Sequence, residues 1–472
     1  MKFRCGLEVH VRVGKRRKLF CHCPPRLSDR EPSLRVTRRL RAVSGESGLK
    51  DRAALFEEKT GREFVYLFYP DTCCLVELDE EPIHEIDPES LECAVKVARL
   101  LHCDIPDRLY VMRKIVVDGS NTSGFQRTVL VGLNGWIEVD RKKVGIKSVC
   151  LEEESAGIVE KSEKRTVFRL DRLGIPLVEI STEPVITDAE FAMKVAEKLC
   201  MIVRSTGLAH RGLGSVRQDL NVSVEGGARV EIKGVQELEM IPKIIEAEVE
   251  RQTRLISSGK KPEPETRVAL PDGSSEFMRP LPGSERMYPE TDIGPLDVPE
   301  VELPETLEER LERLKRRIPE QLARQVMKSE YLDLVEKLSE KHDPVFVAHF
   351  FTSVLKDFRR RGLEVREEDI ISAFSLAEKG RIEEKAIPDL LEEVSSGKSF
   401  EEVVPKYSPL DRSELEKIIL EVAAENPDLV ERKNLKALMG EVMKKVRGRA
   451  PGSEVFTLVK EVVSRRTSSA SS

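Results

Sequence analysis

At 472 residues the chain is long enough for about two to four domains, and 40% hydrophobic with 34% charged residues excludes a disordered or fibrous chain. Lys+Arg number 78 against 84 Asp+Glu, and a net charge of −6 excludes a general polyanion binder. No apolar run approaches the ~18 residues of a membrane span, and nine scattered cysteines fit reduced thiols in a cytoplasmic protein better than a disulfide framework.

The charge is unevenly spread. Residues 11–42 hold eleven basic and two acidic side chains, +9, and residues 431–466 hold ten and four, +6. Two such patches suit a phosphate-backbone partner, while each alone also reads as a solvated face.

In chain order, MKFRCGLEVHVRV alternates as a strand and lacks the apolar h-region of a signal peptide. Leu7, Val9, Val11 and Val13 share one face, leaving Glu8, His10 and Arg12 on the other. A carboxylate and an imidazole so placed can share a metal or a phosphate, or simply face solvent on an edge strand. Cys21 and Cys23, with Cys73 and Cys74, could supply zinc ligands, but Cys-x-Cys with adjacent cysteines is not paired Cys-x₂-Cys, and buried free thiols fit better. Helical spacing runs over 49–60 and 88–102, separated by an acidic loop, VELDEEPIHEID.

The stretch 112–128 reads as a strand (Ile115, Val116, Val117) followed by two turn signals, Asp118-Gly119 and Ser123-Gly124. Its small hydroxyls and amides, flanked by Arg113 and Lys114, suit a polar or anionic ligand; an ordinary hairpin loop is the alternative. TVLVGLNGWIEVD reads as a hairpin, and VGIKSVCLEEESAG as a strand whose alternation sends Glu152 and Glu154 to one side and Glu153 to the other. A strand carrying Glu179 follows, then a helix over 188–206. Next, Arg217, Asp219, Asn221 and Ser223 share a strand face, as do Arg229, Glu231 and Lys233. These two strands form either a half-exposed antiparallel sheet or the floor of a magnesium–nucleotide site, since hard cations take carboxylates and phosphates take Arg and Lys.

A helix over 241–255 leads to the linker SSGKKPEPE. The proline-rich segment 278–296 is an ordered loop whose Arg279, Arg286, Glu290 and Asp292 could close over a site. From Leu303 the pattern is helical, with capping boxes at Thr306/Glu309 and Ser413/Glu416. Helices over 413–425, 433–446 and 453–465 make a basic tail module, and TSSASS is expected to be disordered. The architecture is therefore α+β: a large N-terminal domain of antiparallel sheet and helices over 1–298, an all-α helical domain over 299–405, and a small basic helical tail domain over 406–466.

Nine motifs, GLEVH, KLFCHCP, DTCCLVELDEEP, MRKIVVDGSNTSGFQRT, CLEEESAG, RLDRLGIPLVEI, RGLGSVRQDLNVSV, GGARVEIKGVQELE and MRPLPGSERMYPETD, occur in order across residues 5–296. Together they resemble the family formed by the B and E subunits of glutamyl-tRNA(Gln) amidotransferase, with DGSNTSGFQRT and LFCHCP nearer the archaeal E form. The resemblance implies an ATP- and Mg-dependent enzyme that phosphorylates the γ-carboxylate of Glu on tRNA(Gln). Ammonia from an asparaginase-like amidase partner, with glutamine as amido donor, then displaces phosphate, in a heterodimer or dimer of heterodimers. By the same resemblance Glu8, His10, Glu153 and Glu179 are expected to be catalytic, and these four with Glu152 to hold metal. Arg113, Lys114, Arg217, Asp219, Asn221, Glu231 and Lys233 are expected to hold the nucleotide and a second metal. Ser123, Phe125, Gln126 and Arg127 are expected to shape the aminoacyl or ammonia passage, and Lys433, Lys436, Lys444, Lys445, Arg447 and Arg449 to meet tRNA. Two departures stand out. The zinc cysteines of the wider family are imperfectly reproduced, and the extra domain usual in the E form is replaced by nine residues, 256–264. A tRNA-binding or chaperone protein without catalysis, and a stand-alone ligase acting on free glutamate, are the competing expectations.

Overall fold

The computed structural model describes residues 2–469 except 46, 211, 213, 284–286, 330, 432–433 and 447–448. The chain divides into two compact units, Met1–Leu307 and Glu308–Ser472. In the first, strands β1 (Phe3–Arg12), β2 (Leu34–Arg38), β3 (Glu63–Phe68), β4 (Arg108–Leu109), β5 (Val111–Ile115), β6 (Phe125–Val139), β7 (Lys142–Glu153) and β8 (Gly157–Lys161) come first. They are followed by β9 (Arg165–Arg169), β10 (Pro176–Thr182), β11 (Val216–Val224), β12 (Val230–Val235), β13 (Glu265–Ala269), β14 (Ser275–Pro280), β15 (Met287–Pro289) and β16 (Leu296–Asp297). Helices α1 (Arg52–Thr60), α2 (Pro88–Leu100), α3 (Ala189–Ser205) and α4 (Ile241–Ser257) complete the unit.

Ten strands form one sheet in the order β14-β13-β12-β11-β1-β10-β7-β6-β5-β15. All neighbours are antiparallel except β12 and β13, whose parallel pairing needs a crossover, which α4 supplies. Alternation then makes the sheet two-faced. Leu7, Val9, Val11, Val178, Ile180, Val149, Leu151, Val129, Leu220 and Val222 pack beneath α2, α3 and α4, and burying each such side chain contributes about 1.5–3 kcal/mol. The opposite face of the same strands carries the charged residues.

The ten-strand sheet corrects one expectation. TVLVGLNGWIEVD is not a hairpin but part of the 15-residue strand β6. Asn134 takes a positive φ and the register shifts between Leu130 and Gly132, so the apparent turn residues absorb irregularities in a continuous ladder. The chain reverses at Asp140 and Arg141, both at positive φ.

A second sheet, β2-β3-β9-β8, has its own core of Phe64, Tyr66, Tyr69, Phe168, Leu170 and Leu173. The polar loop between β5 and β6 is pinned to it: the Tyr66 hydroxyl donates to the Gly119 carbonyl at 2.8 Å. Gly119 sits at φ +87, and a Cβ there would stand 2.2 Å from the Phe64 ring. The proline-rich segment after β14 is irregular as expected, and its short strand β15 pairs with β5; Arg286 lies outside the described residues.

The second unit is helical throughout its described residues, from the helix Leu307–Lys315 to the helix Gly452–Ser469. A separate core of Leu415, Ile419, Val422, Leu438, Val442, Val455 and Val459 holds its C-terminal helices together. The capping box of Arg412–Glu425 is Asp411 with Glu414, two residues before the Ser413/Glu416 pair suggested by sequence. The last helix continues to Ser469, so Thr467–Ser469 extend it rather than forming a coil; residues 470–472 lie outside the described residues.

Replacing Gly119 by alanine forces both a left-handed alanine and a clash with Phe64. An expected loss of about 2–4 kcal/mol in unfolding free energy, read from denaturant titration, follows.

Candidate active site

The central strand β1 sets the site. His10 lies opposite Glu179 of β10 on one side and Arg217 of β11 on the other, while Glu8 lies opposite Asp219. Glu179 faces Cys150 of β7, and Glu152 is two residues further along that strand. Cross-strand partners share a face, so Glu8, His10, Glu152, Glu179 and Asp219 come together on the charged side of the sheet. Two sets of donor atoms, Glu8/His10/Asp219 and His10/Glu152/Glu179, lie within 4.8 Å of one another.

Their electrostatics are interlocked. His10 Nε2 is 3.0 Å from Glu179 Oε2. Burial works against the imidazolium, yet the hydrogen bond and charge of Glu179, with the charge of Asp219, raise the His10 pKa above its ordinary value. Glu179 is driven well below the carboxylate range: burial opposes this, but Lys114 and His10 outweigh it. Glu8 goes the other way, pushed up to about 7 by burial and by the charge of Glu179. Lys114 Nζ lies 2.6 Å from Glu152 Oε1 and 3.9 Å from Glu179 Oε2, so one ammonium is shared by two carboxylates.

Toward β12, Lys233 Nζ bridges Asp219 at 2.8 Å and Glu231 at 2.9 Å. Asn221 donates to Glu8 Oε1 at 3.1 Å and accepts from Arg229 Nε at 2.9 Å. Lys114, Asp219, Asn221, Glu231 and Lys233, expected at the nucleotide, are therefore adjacent to the carboxylate row. Arg217 is the exception in its bonding: with Arg12 it is tied to Glu154, which is fully buried although a glutamate run at a strand end suggests solvent. Of these groups Glu8, Lys114, Glu152, Glu179, Asn221 and Arg229 line a cleft of about 1010 Å³, whose lining also includes Tyr110, Met112, Leu130, Leu133 and Met287.

Glu153 is not part of the row. Strand alternation sends it to the other face of β7, where its carboxylate is 3.0 Å from Arg127. Of the two adjacent glutamates expected at the metal, Glu152 lies beside His10 and Glu179, and Glu153 does not. Arg113, expected beside Lys114 at the phosphate, is not brought to the row: its guanidinium bonds Glu290 and lies 4.7 Å from the Phe125 ring centroid. Arg127 reaches Glu290 at 2.8 Å and braces the other side of Phe125 at 5.0 Å.

On that far side is a cavity of about 20 Å³, room for a single water-sized molecule. Glu77, Asn121, Thr122, Ser123, Arg127 and Glu153 contribute to its lining. Asn121 Nδ2 is buried there with no protein partner, a feature that no sequence pattern singles out. Of the four expected passage residues, Ser123 and Arg127 line this cavity. Phe125 stacks between the two arginines, and Gln126 spans the strand, donating to Glu152 Oε2 at 3.2 Å and to the Glu153 carbonyl at 2.7 Å.

Beside the cavity, Cys21, Cys23 and Cys74 converge with Glu77, their donor atoms within 4.8 Å of one another. The Cys21 and Cys23 thiols hold that of Cys74 far below the usual thiol range. Three sulfurs and a carboxylate suit zinc in kind. Cys73 is not among them and packs in the core of the small sheet, and the fourth member of the cluster is Glu77, whose Oε1 is 2.8 Å from Lys18 Nζ.

The tail cations are less available than their count implies. Lys444 pairs with Glu441 and Lys445 with Glu425, both at 2.7 Å, and Arg449 donates to the Ser408 carbonyl at 2.9 Å. Lys436 is exposed without an ion pair among the described residues, and Lys433 and Arg447 lie outside them. In the N-terminal basic run Lys18 and Arg17 are internally paired, whereas Arg30, Arg35 and Arg41 are exposed.

The chain that folds into this two-faced sheet and helical unit belongs to the GatB/GatE family: the GatB/GatE catalytic domain matches residues 3–303 and the GatB domain residues 333–463. Within that family it is similar to proteins named as the E subunit of glutamyl-tRNA(Gln) amidotransferase. That of Methanocaldococcus jannaschii is 34% identical, over 97% of this chain and 98% of the relative. Those of Archaeoglobus fulgidus and Sulfurisphaera tokodaii are also 34% identical, over 98% and 97% of this chain and 98% of each relative. The first alignment spans 615 positions against 472 residues here, so at least 143 positions (615 − 472) have no counterpart in this chain. A seven-residue connector, 258–264, joins α4 to β13, where the extra domain was expected.

Glu290 gives the site a pH-dependent anchor. Burial would raise its pKa, but hydrogen bonds from Arg113 and Arg127 lower it to about 2. A folded-state pKa below the unfolded value of ~4.3 means stability that is present above pH ~4.3 and lost as pH falls through the folded value. The wild type should lose unfolding free energy between about pH 4.3 and 2, and Glu290→Gln should flatten that part of the profile; parallel profiles from denaturant titrations would contradict the assignment.

Proposed function

We propose that this chain is the synthetase-type component of a tRNA-dependent amidotransferase, converting Glu-tRNA(Gln) to Gln-tRNA(Gln). The observation that carries the reading is the row Glu8, His10, Glu179 and Glu152, bordered by Lys114 on one side and by Asp219, Glu231 and Lys233 on the other. The names of the similar archaeal proteins agree with it.

A carboxylate is a poor acyl electrophile, so the reaction divides into two steps. The γ-carboxylate oxygen of the glutamyl group attacks the γ-phosphorus of ATP, the bond to the β-phosphate oxygen breaks, and ADP leaves behind an acyl phosphate. Ammonia then attacks the acyl carbon, the carbon–oxygen bond breaks, and inorganic phosphate departs as the amide forms. Phosphoryl transfer of this kind depends mainly on positioning and charge. Lys114 and Lys233 are placed to steady phosphate oxygens, and His10 to hold Glu179 in its anionic state. The donor set fits a divalent cation, since carboxylates dominate it. When bound by Glu8, Glu152, Glu179 and Asp219, magnesium would offset the charge of the transferring phosphoryl group.

No part of this scheme liberates ammonia, so an asparaginase-like amidase partner is assigned that task. The small cavity between Glu77, Asn121, Ser123, Arg127 and Glu153 is of a size for one ammonia molecule on its way to the row. Zinc at Cys21, Cys23, Cys74 and Glu77 would be structural, fixing Glu77 at the cavity wall.

The test is amidation of Glu-tRNA(Gln) with ATP, magnesium and free ammonium. His10→Ala and Glu179→Gln should each lower kcat at least about a hundredfold, with tRNA affinity kept within about threefold. Near-normal turnover in either variant would refute the assignment, and tRNA binding without any ATP-dependent amidation by the wild type would favour a non-catalytic tRNA-binding protein.

A further inference from the structure

The cleft is asymmetric about its carboxylate row. On the β11 and β12 side the lining is polar, Asn221, Ser223 and Arg229, and Lys233 ties Asp219 to Glu231 on the same two strands. On the other side apolar residues lie beyond the polar group of Lys114, Thr128, Ser148 and Glu152. Glu179 is opposite Cys150, Cys150 is opposite Leu130, and Tyr110 immediately precedes Val111, the partner of Val129. Tyr110 is 55% exposed and Met287 37% exposed, and with Met112, Leu130 and Leu133 they form a shelf along the same cleft. Large apolar side chains left bare beside a charged site call for an apolar ligand surface.

Length decides which surface. Strands lie ~4.8 Å apart, so Leu130 is about 10 Å and the β5 strand about 14 Å from the backbone of Glu179. In a glutamyl ester the γ-carboxyl stands roughly 6–7 Å from the ribose oxygen, and the base lies about 5 Å beyond, a total near 12 Å from bond lengths alone. A substrate whose γ-carboxyl meets the row therefore carries its terminal base over this shelf. Lys147, exposed at the cleft rim without an ion pair among the described residues, is placed for the phosphate that joins the last two nucleotides.

Resting on the amidotransferase reading, we infer that the shelf of Tyr110, Met112, Leu130, Leu133 and Met287 seats the 3′-terminal adenosine of the aminoacyl-tRNA, with Tyr110 stacking on the adenine, while ATP enters from the β11–β12 side. The site thus has two adenosine-bearing ligands on opposite sides of one carboxylate row. Tyr110 is the specificity-determining contact for the first and makes none with the second.

The probe is 3′-glutamylamido-3′-deoxyadenosine, whose amide link resists hydrolysis, measured calorimetrically against full-length wild type, Tyr110→Phe and Tyr110→Ala. Because Tyr110 is exposed, neither substitution removes core packing. Tyr110→Ala should bind the probe at least about tenfold more weakly, as loss of a base–aromatic stack does, and raise KM for Glu-tRNA(Gln) in step. Tyr110→Phe should match wild type, and ATP affinity should stay constant in both. Unchanged probe affinity together with unchanged KM for Glu-tRNA(Gln) in Tyr110→Ala would overturn the inference, as would a selective loss of ATP affinity, which would put the base of ATP on the shelf. Absence of ATP-dependent amidation by the wild type would instead remove the reading on which the inference rests.

Discussion

The structure depends on keeping several carboxylates together on one face of a sheet. Glu8, Glu152, Glu179, Asp219 and Glu231 converge on strands β1, β7, β10, β11 and β12, and two ammonium groups, Lys114 and Lys233, stand among them. Like charges so close cannot all ionise freely, and the strain is divided unequally: His10 and Lys114 hold the Glu179 pKa low, and burial with the charge of Glu179 pushes that of Glu8 up to about 7. An excess of negative charge at fixed positions is the natural receptor for a cation, and for the phosphates that arrive with it. The apolar helices behind the sheet make this possible, because they lock β1 between β10 and β11 through side chains that leave no freedom of register.

Register also explains why adjacent glutamates do different things. One residue along β7 separates the large cleft from the small cavity, with Glu152 belonging to the first and Glu153 to the second. Gln126 contacts both, so the two spaces are mechanically linked through one side chain. The polar loop between β5 and β6 forms part of the cavity wall and is held by Tyr66 and by Thr122, which donates to the Glu77 carbonyl at 2.8 Å. A loop whose composition promised ligand contact has become an anchored wall instead of a mobile flap.

The charged face was readable wherever alternation was regular: Glu8 with His10, and Asp219 with Asn221, fall on one side of a strand by counting alone. The helices of the first unit were equally plain, their apolar stripes matching the core they bury. Three features escaped for physical reasons. Glu152, Glu153 and Glu154 end a strand as a run of identical residues, so pattern could not say which faced the cleft, and the ion pairs that separate them come from Arg127, Arg12 and Arg217, distant in sequence. The Asn134-Gly135 pair carries a turn signature yet lies within β6, because ladder pairing on both sides overrode the local preference. Glu77 joins three thiols only through tertiary packing, which cysteine spacing cannot encode. The tail lysines taught the converse, since net charge counted along a helix ignores a glutamate one turn away, Glu441 for Lys444, and one on a neighbouring helix, Glu425 for Lys445.

Divalent-cation binding to the carboxylate row tests the account most directly. Titration with manganese, a magnesium surrogate visible by electron paramagnetic resonance, should show saturable binding to the wild type. Glu179→Gln should weaken that binding at least about tenfold, as loss of one charged ligand does, while Glu153→Gln leaves it unchanged. Equal binding by wild type and Glu179→Gln, or a loss confined to Glu153→Gln, would contradict the placement of the site on this face of the sheet.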